Sequence, residues 1–437
     1  MSSSPRRLKT LMGASNVIAA ANDADPATGA KRAAELARRA EAEKITGLFT
    51  ADLLQIDPAG LAGTAGVQDP LIALAALSQV TSHIGLVATI STTFHHPYNL
   101  ARLIGTLDHA SGGRAGWNAV TSSVGEENFG ALLLSPEERY ARAAEFIEVV
   151  NALYDANERD AVTRKASGAL ALDPAKFHRI DYRGRHFAVQ GPLNVPPLPQ
   201  GRPVQFQAGQ SEAGINVGAR YAEVVYTSQP KLDGAIAFVT ELRRRAKSFG
   251  RGDNLPFVMN SFHSVIGESD ADVARRLKEK HERIDYDLGR LKLADMLGGN
   301  IDLSDLPLDK PLPDSLLPEI TSTNRRRGRV EIFSRYAKQG LTLRELIIEA
   351  QETGHWSVAG TPEHLADAIE ERFRAGVLDI LTLHGLGNPD QEDLLLNGLL
   401  PELRRRALID TDYVGGDFRS NLELPPLPPA VSLARSA

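Results

Sequence analysis

The chain has 437 residues, a net charge of −6, and a composition that is 42% hydrophobic and 24% charged. That balance excludes a disordered or fibrous chain, and it offers no positive excess for nucleic acid or an anionic membrane surface. There is no cysteine, which excludes disulfides, thiolate metal sites and cysteine nucleophiles.

In chain order, "LKTLMGA" near the N-terminus reads as a first strand rather than as the core of a cleaved signal, because Gly13, Ser15 and Asn16 interrupt the apolar stretch. "TGLFTAD" (46–52) is a strand. "DPLIALAALSQVTS" (69–82) is a helix capped by Asp69 with Pro70 in its first turn. "IGLVATIS" (84–91) is a continuously apolar strand, and 97–111 is a helix closed by Gly112 and Gly113. "RAGWNAV" is the next strand. Residues 135–156 form a long helix with Ser135 and Glu138 as a capping box. Strands follow over 202–209, 222–228 and 256–267. The last unit is a helix opened by Thr361, Pro362 and Glu363, followed by the strand "VLDILTLHG". No apolar run approaches the roughly 20 residues of a membrane span.

Apolar strands alternating with amphipathic helices predict a parallel sheet covered by helices. Repeated this often, the unit predicts an α/β (β/α)8 TIM-type barrel, with a doubly wound open sheet as the alternative. One barrel domain spans 1–437, interrupted by structureless insertions at 157–201 and 285–340 and ending in a loosely packed tail, 417–437. The 285–340 insertion is the lid candidate. Its Arg325–Arg327 run with Arg329 offers a grip for an anionic substrate, against the plainer reading of a solvated face.

In a barrel, chemistry sits at the C-terminal strand ends. Those ends carry Asp52, Thr89, Asn118 and Gln207-Ala208-Gly209, short polar groups beside small residues that leave room for a large flat ligand. The Asn118 amide can both donate to and accept from a heterocycle edge. "AGQSEAG" (208–214) is a glycine loop entering a helix, with Ser211 at its cap, where backbone amides can hold an anion. His95 and His96 follow the third strand; one is expected to face the ligand as acid, base or donor, and the pair lacks metal spacing. His178, His186, His263, His281 and His355 are scattered and read as structural.

These stretches, with "ATISTTFHHPYNLARLIGTLDHASGGRAGWNAVTS", "ERYARAAEF" and "GTPEHLADAIEERF", resemble the nitrilotriacetate / dibenzothiophene-sulfone monooxygenase family. That family is a branch of the bacterial-luciferase-like flavin enzymes, and the likeness runs from about residue 8 to about 420. The resemblance implies a cytoplasmic monooxygenase that uses reduced FMN and O2 to oxidise or cleave a small organic substrate, such as a heterocyclic or nitrogen- or sulfur-containing one. It implies flavin delivered by an NAD(P)H:flavin reductase, a homodimer or homotetramer, and no metal, membrane or nucleic-acid partner. It assigns flavin binding to Asp52, Thr89, Asn118, Tyr140 and Ser211, with Tyr140 and Ser211 on the phosphate, and catalysis to Asn118, His95 and His96. Pro136 of "SPEERY" stands where a flavin-contacting His is common, and Gln210 where a small residue is common. "GASNVIAA" follows where a His near Gly13 is common. The alternatives are a deazaflavin-dependent oxidoreductase on the same barrel, or a non-catalytic flavin-binding protein.

Overall fold

The computed structural model describes residues 6–14, 17–18, 25–55, 68–299, 301–318, 327–425 and 427. Strands and helices alternate from the start: β1 (Lys9–Gly13), α1 (Pro26–Ala42), β2 (Gly47–Phe49), α2 (Pro70–Ser78), β3 (Gly85–Ser91), α3 (Pro97–Ser111), β4 (Ala115–Val120) and α4 (Pro136–Asp155). After the first insertion come β5 (Val204–Gln207), α5 (Glu212–Tyr221), β6 (Val224–Thr227), α6 (Leu232–Ser248), β7 (Phe257–Ile266) and α7 (Asp270–Glu282). Three helices follow, α8 (Tyr286–Met296), α9 (Arg327–Lys338) and α10 (Leu343–Gln351). The chain then returns through β8 (Trp356–Gly360), α11 (Pro362–Arg374) and β9 (Ile380–Leu383).

Strands β1 to β7 pair in parallel with their sequence neighbours, β7 pairs with β9, and β9 closes the ring onto β1. The result is the expected eight-stranded parallel barrel. β8 lies outside it, paired with the upper half of β7 from Phe262 to Ile266. The helix starts are those the sequence marks. Asp69 accepts from the Ile72 amide at 3.0 Å, and Thr361 accepts from the His364 amide at 3.4 Å. Ser135 caps α4, but the box is only half formed, because the Glu138 carboxylate pairs with Arg185 at 2.9 Å instead of reaching back.

Side-chain alternation sorts each strand into an inner and an outer face. Trp117 faces outward and packs against Phe146 of α4, with ring centres 6.3 Å apart. Asn118, one residue on, faces inward. The lower barrel is filled by Leu11, Phe49, Val87, Val204, Phe206 and Met259.

The tail departs from expectation. Phe418 is fully buried and stoppers the N-terminal end of the barrel. A Cβ at Gly47 or Gly116 would lie 3.0 or 3.1 Å from its ring, and one at Gly85 would overlap it outright. Three strands carry glycine there because the plug leaves no room for a side chain. Phe418, Leu422 and Leu424 therefore belong to the core, and 428–437 fall outside the described residues. The prolines and serines around Phe418 hide this from a compositional reading.

Neither insertion is structureless. The first holds two short hairpins, Val162–Arg164 with Leu170–Leu172 and Tyr182–Arg183 with Ala188–Val189. In the second, α8, α9 and α10 share a small core of their own, built on Leu293, Met296, Phe333, Leu346 and Ile347. Prolines between its leucines mask the apolar spacing. Arg325 and Arg326 fall outside the described residues. No helix among the described residues is long and apolar enough to cross a membrane.

Candidate active site

The inner faces of β2 to β4 deliver one half of the site. The Thr89 hydroxyl donates to the Thr50 carbonyl and accepts from Asn118 Nδ2 at 3.0 Å. Both side chains are buried. This bond fixes the amide's orientation. Asn118 Oδ1 is buried with no hydrogen-bond partner among the described residues. A buried acceptor without a donor costs roughly 1–3 kcal/mol. A ligand N–H would offset that cost.

Asp52 lies at the same rim. Burial, and then the charge of Asp69, push its carboxyl above the usual aspartate range, while His95 draws it back down. His95 is held by its Nδ1 at 3.0 Å from the Ser91 carbonyl. His96 is used differently: its Nδ1 accepts from the Tyr98 amide at 3.3 Å and so caps α3, with its ring edge-on to Phe187. Burial, and then Arg142, lower its pKa. The structure thus brings Asp52 and His95 together and gives His96 to the helix end.

Tyr140, Ser211 and Pro136 meet in a cleft of about 290 Å³, whose walls also include Arg139, Gly209, Gln210 and Arg329. Ser211 caps α5, accepting from the Gly214 amide at 3.3 Å. The glycines of this loop are there for space. A Cβ at Gly209 would lie 2.6 Å from the Tyr140 hydroxyl, and one at Gly214 2.9 Å from it. A phenol, a hydroxyl, a helix N-terminus and two guanidinium groups at one cleft suit a phosphate. Arg139, one turn along α4 from Pro136, brings a guanidinium group to the same cleft. Gln210 is tied to the end of β6, where its Oε1 accepts from the Thr227 hydroxyl and the Ser228 amide at 3.0 and 3.2 Å.

The opposite half of the mouth was not legible as a site. His263 and His355, read from sequence as structural, gather with His384. His263 lies 4.6 Å from His384 and 4.9 Å from His355 between ring centres. His384 Nε2 is 2.7 Å from the Ser261 hydroxyl, and His263 Nδ1 is 2.7 Å from Glu352. Among the described residues, no group of three or more His, Asp or Glu could hold a metal ion.

Residues 12–379 match the luciferase-like monooxygenase family. The chain belongs to that family. Among its relatives is the N-acetyl-S-(2-succino)cysteine monooxygenase of Bacillus subtilis strain 168, 37% identical over 395 residues and covering 89% of each chain. The nitrilotriacetate monooxygenase component A of Aminobacter aminovorans is 37% identical over 419 residues, 91% of this chain and 90% of that one. A solved structure of riboflavin lyase with modified FMN and substrate riboflavin superposes with a TM-score of 0.81 at 29% identity, covering 95% of this chain and 96% of that one.

Proposed function

We propose that the chain is the oxygenating component of a two-component monooxygenase, binding reduced FMN at the barrel mouth and using O2 to oxidise or cleave a small organic substrate. The carrying observation is Asn118: an amide oriented by Thr89, with a buried oxygen that lacks a donor. The edge of a flavin ring offers an N–H flanked by carbonyls, which complements that oxygen. Reduced FMN, when bound, supplies the electrons that activate O2.

The remaining work is done by the chain's own residues. Tyr140 and Ser211, with the amides of the Gly209–Gly214 turn, would hold the phosphate. Asp52 and Thr89 would flank the ribityl chain and ring. Asn118 would orient the ring edge, and His95 would hold or move a proton beside Asp52. The α8–α10 unit would exclude water as a lid, since Gly328 and Arg329 at the start of α9 already line the phosphate cleft. Electrons would come from an NAD(P)H:flavin reductase. The reading carries with it a cytoplasmic homodimer or homotetramer, which sizing of the purified protein and cell fractionation check.

The test is an oxygen-free titration of the protein with oxidised and with photoreduced FMN, followed by calorimetry. Tighter binding of the reduced form supports the reading. Binding of neither form overturns it and directs the search to deazaflavin. Tight binding of both forms, with no effect on FMN reoxidation, would leave a flavin carrier.

A further inference from the structure

Three histidines meet at the second half of the mouth, and one of them is hydrogen-bonded to a carboxylate. His263 Nδ1 lies 2.7 Å from Glu352 Oε2, and Glu352 Oε1 accepts from Lys280. Burial opposes the ionisation of Glu352, but the His263 bond and the Lys280 charge outweigh it, and its pKa falls to about 2. A carboxylate can only accept. His263 therefore keeps a proton on Nδ1 in either charge state, and Nε2 is the nitrogen left to gain or lose one. Nε2 has no hydrogen-bond partner among the described residues, and the side chain is 26% exposed, so a ligand can reach it.

The backbone is bent to make this pair. Between the end of α10 at Gln351 and the start of β8 at Trp356, Thr353 and Gly354 hold φ of 50° and 70°. That left-handed region is costly for a β-branched residue. The reversal sets Glu352 and His355 against one ring, the carboxylate at Nδ1 and the His355 ring centre 4.9 Å away. His384 adds a third contact at 4.6 Å. Behind these neighbours stand Lys280 of α7, against Glu352, and Arg329 of α9, against His355.

The other two histidines are unsuited to carrying a proton. Burial, and then His263, bring the His384 pKa down to about 3, and burial, and then Arg329, hold His355 well below the usual histidine range. We propose that His263 is a catalytic acid of the barrel mouth, giving its Nε2 proton to the oxygen atom that does not enter the product, with Glu352 as its positioning residue. β7 stands opposite β3 in the eight-strand ring, so this group lies across the mouth from Thr89 and His95.

The proposal rests on the monooxygenase reading for the reaction that is served. In that reaction anionic reduced FMN, O2, one proton and a substrate C–H give oxidised FMN, the hydroxylated substrate and water. The flavin and the substrate each lose two electrons, O2 gains four, and the O–O bond breaks. Without substrate, the same flavin, O2 and one proton give oxidised FMN and hydrogen peroxide. Each balance takes up one proton, which Nε2 supplies and solvent replaces. A carboxylate that fixes one imidazole nitrogen and stabilises the cation is an established way to make such a donor.

The first test needs no flavin. The ligand-free protein, labelled with 15N-histidine, is observed by long-range proton–nitrogen NMR, with His263 assigned from H263N. Its neutral form should carry the proton on Nδ1 alone. As pH falls, His263 should become an imidazolium while His355 and His384 stay neutral to roughly pH 5. E352Q, whose amide can turn either its oxygen or its nitrogen to the ring, should give a mixture of tautomers. A native Nε2–H form, or protonation of His355 or His384 ahead of His263, overturns the proposal.

The second test follows reoxidation of bound, photoreduced FMN by O2 across roughly pH 5 to 9. The native rate should rise through one inflection as pH falls. H263N should remove the inflection and lower the rate at its acid end by about 10²-fold. E352Q, made separately so that a folding failure in one leaves the other, should move the inflection to lower pH, because the cation loses its counter-charge. A native inflection kept in H263N, or left in place in E352Q, overturns the acid role. If native protein binds no reduced FMN, the monooxygenase reading has failed, and the NMR experiment alone decides this one.

Discussion

Glu352→Gln is the perturbation whose size follows most directly from the structure. The Glu352 carboxylate accepts from His263 Nδ1 at 2.7 Å and pairs with Lys280. Burial opposes its ionisation, but His263 and then Lys280 outweigh it, and the pKa falls to about 2 from 4.5. That difference corresponds to about 3 kcal/mol. The sign follows from the depressed folded-state value. The stabilisation is fully present above 4.5 and is lost as pH falls toward 2. The glutamine variant keeps the shape and one acceptor but loses the charge. Urea unfolding of native and variant protein at neutral pH should therefore differ by about 3 kcal/mol, favouring native. The gap should shrink by roughly a quarter at pH 4 and by more than half at pH 3. A gap that is absent at neutral pH, or that stays constant down to pH 3, would refute the reasoning. It would show that the pair contributes packing rather than charge.

The phosphate assignment predicts that Tyr140→Phe weakens reduced FMN binding by about 10- to 100-fold while leaving riboflavin binding unchanged, since a bond to a charged group is worth about 1.5–3 kcal/mol. Parallel calorimetric titrations check it, and equal losses for the two flavins would refute it. Asn118→Ala should cost reduced FMN and riboflavin alike, by about 1–3 kcal/mol, and full affinity with full oxygen consumption would remove Asn118 from the site. Phe418→Ala should cost about 3–5 kcal/mol of stability by opening a cavity against three glycines. A urea midpoint close to native would show that the tail only rests on the barrel.

Much of the barrel was legible because its strands are apolar throughout and its helices open on strong caps. Asp69, Ser135, Ser211 and Thr361 each mark a helix start that the structure keeps. The half that holds Thr89 and Asn118 was legible for a related reason. Thr89 and Asn118 end runs of apolar and small residues, and a polar side chain at the end of a buried strand needs an explanation. The second half was not, because Tyr226, Ser261, Arg329, His355 and His384 come from five separate places in the chain. The register of β6, β7 and β9 gathers Tyr226, Ser261 and His384, while His355 enters ahead of β8 and Arg329 from α9. A signal did exist: the strand-end argument that finds Asn118 also finds His384 directly after β9. Phe418 escaped because one aromatic in a tail rich in proline and serine carries no periodicity. The half-formed cap at Ser135 escaped because Glu138 has a better partner in Arg185, 47 positions further along the chain and on another element.

The stopper formed by Phe418 makes the barrel a cup and not a pipe. On the proposed reading, whatever is consumed and whatever is made would cross the same rim, past Asn118 on one side and His384 on the other. Arrival and departure would then compete for one doorway, and the occupants would take turns in an enforced order. A spent flavin still in place would block its own replacement, and the pace of exchange at that rim would set a ceiling on turnover that no improvement in the chemistry below it could raise.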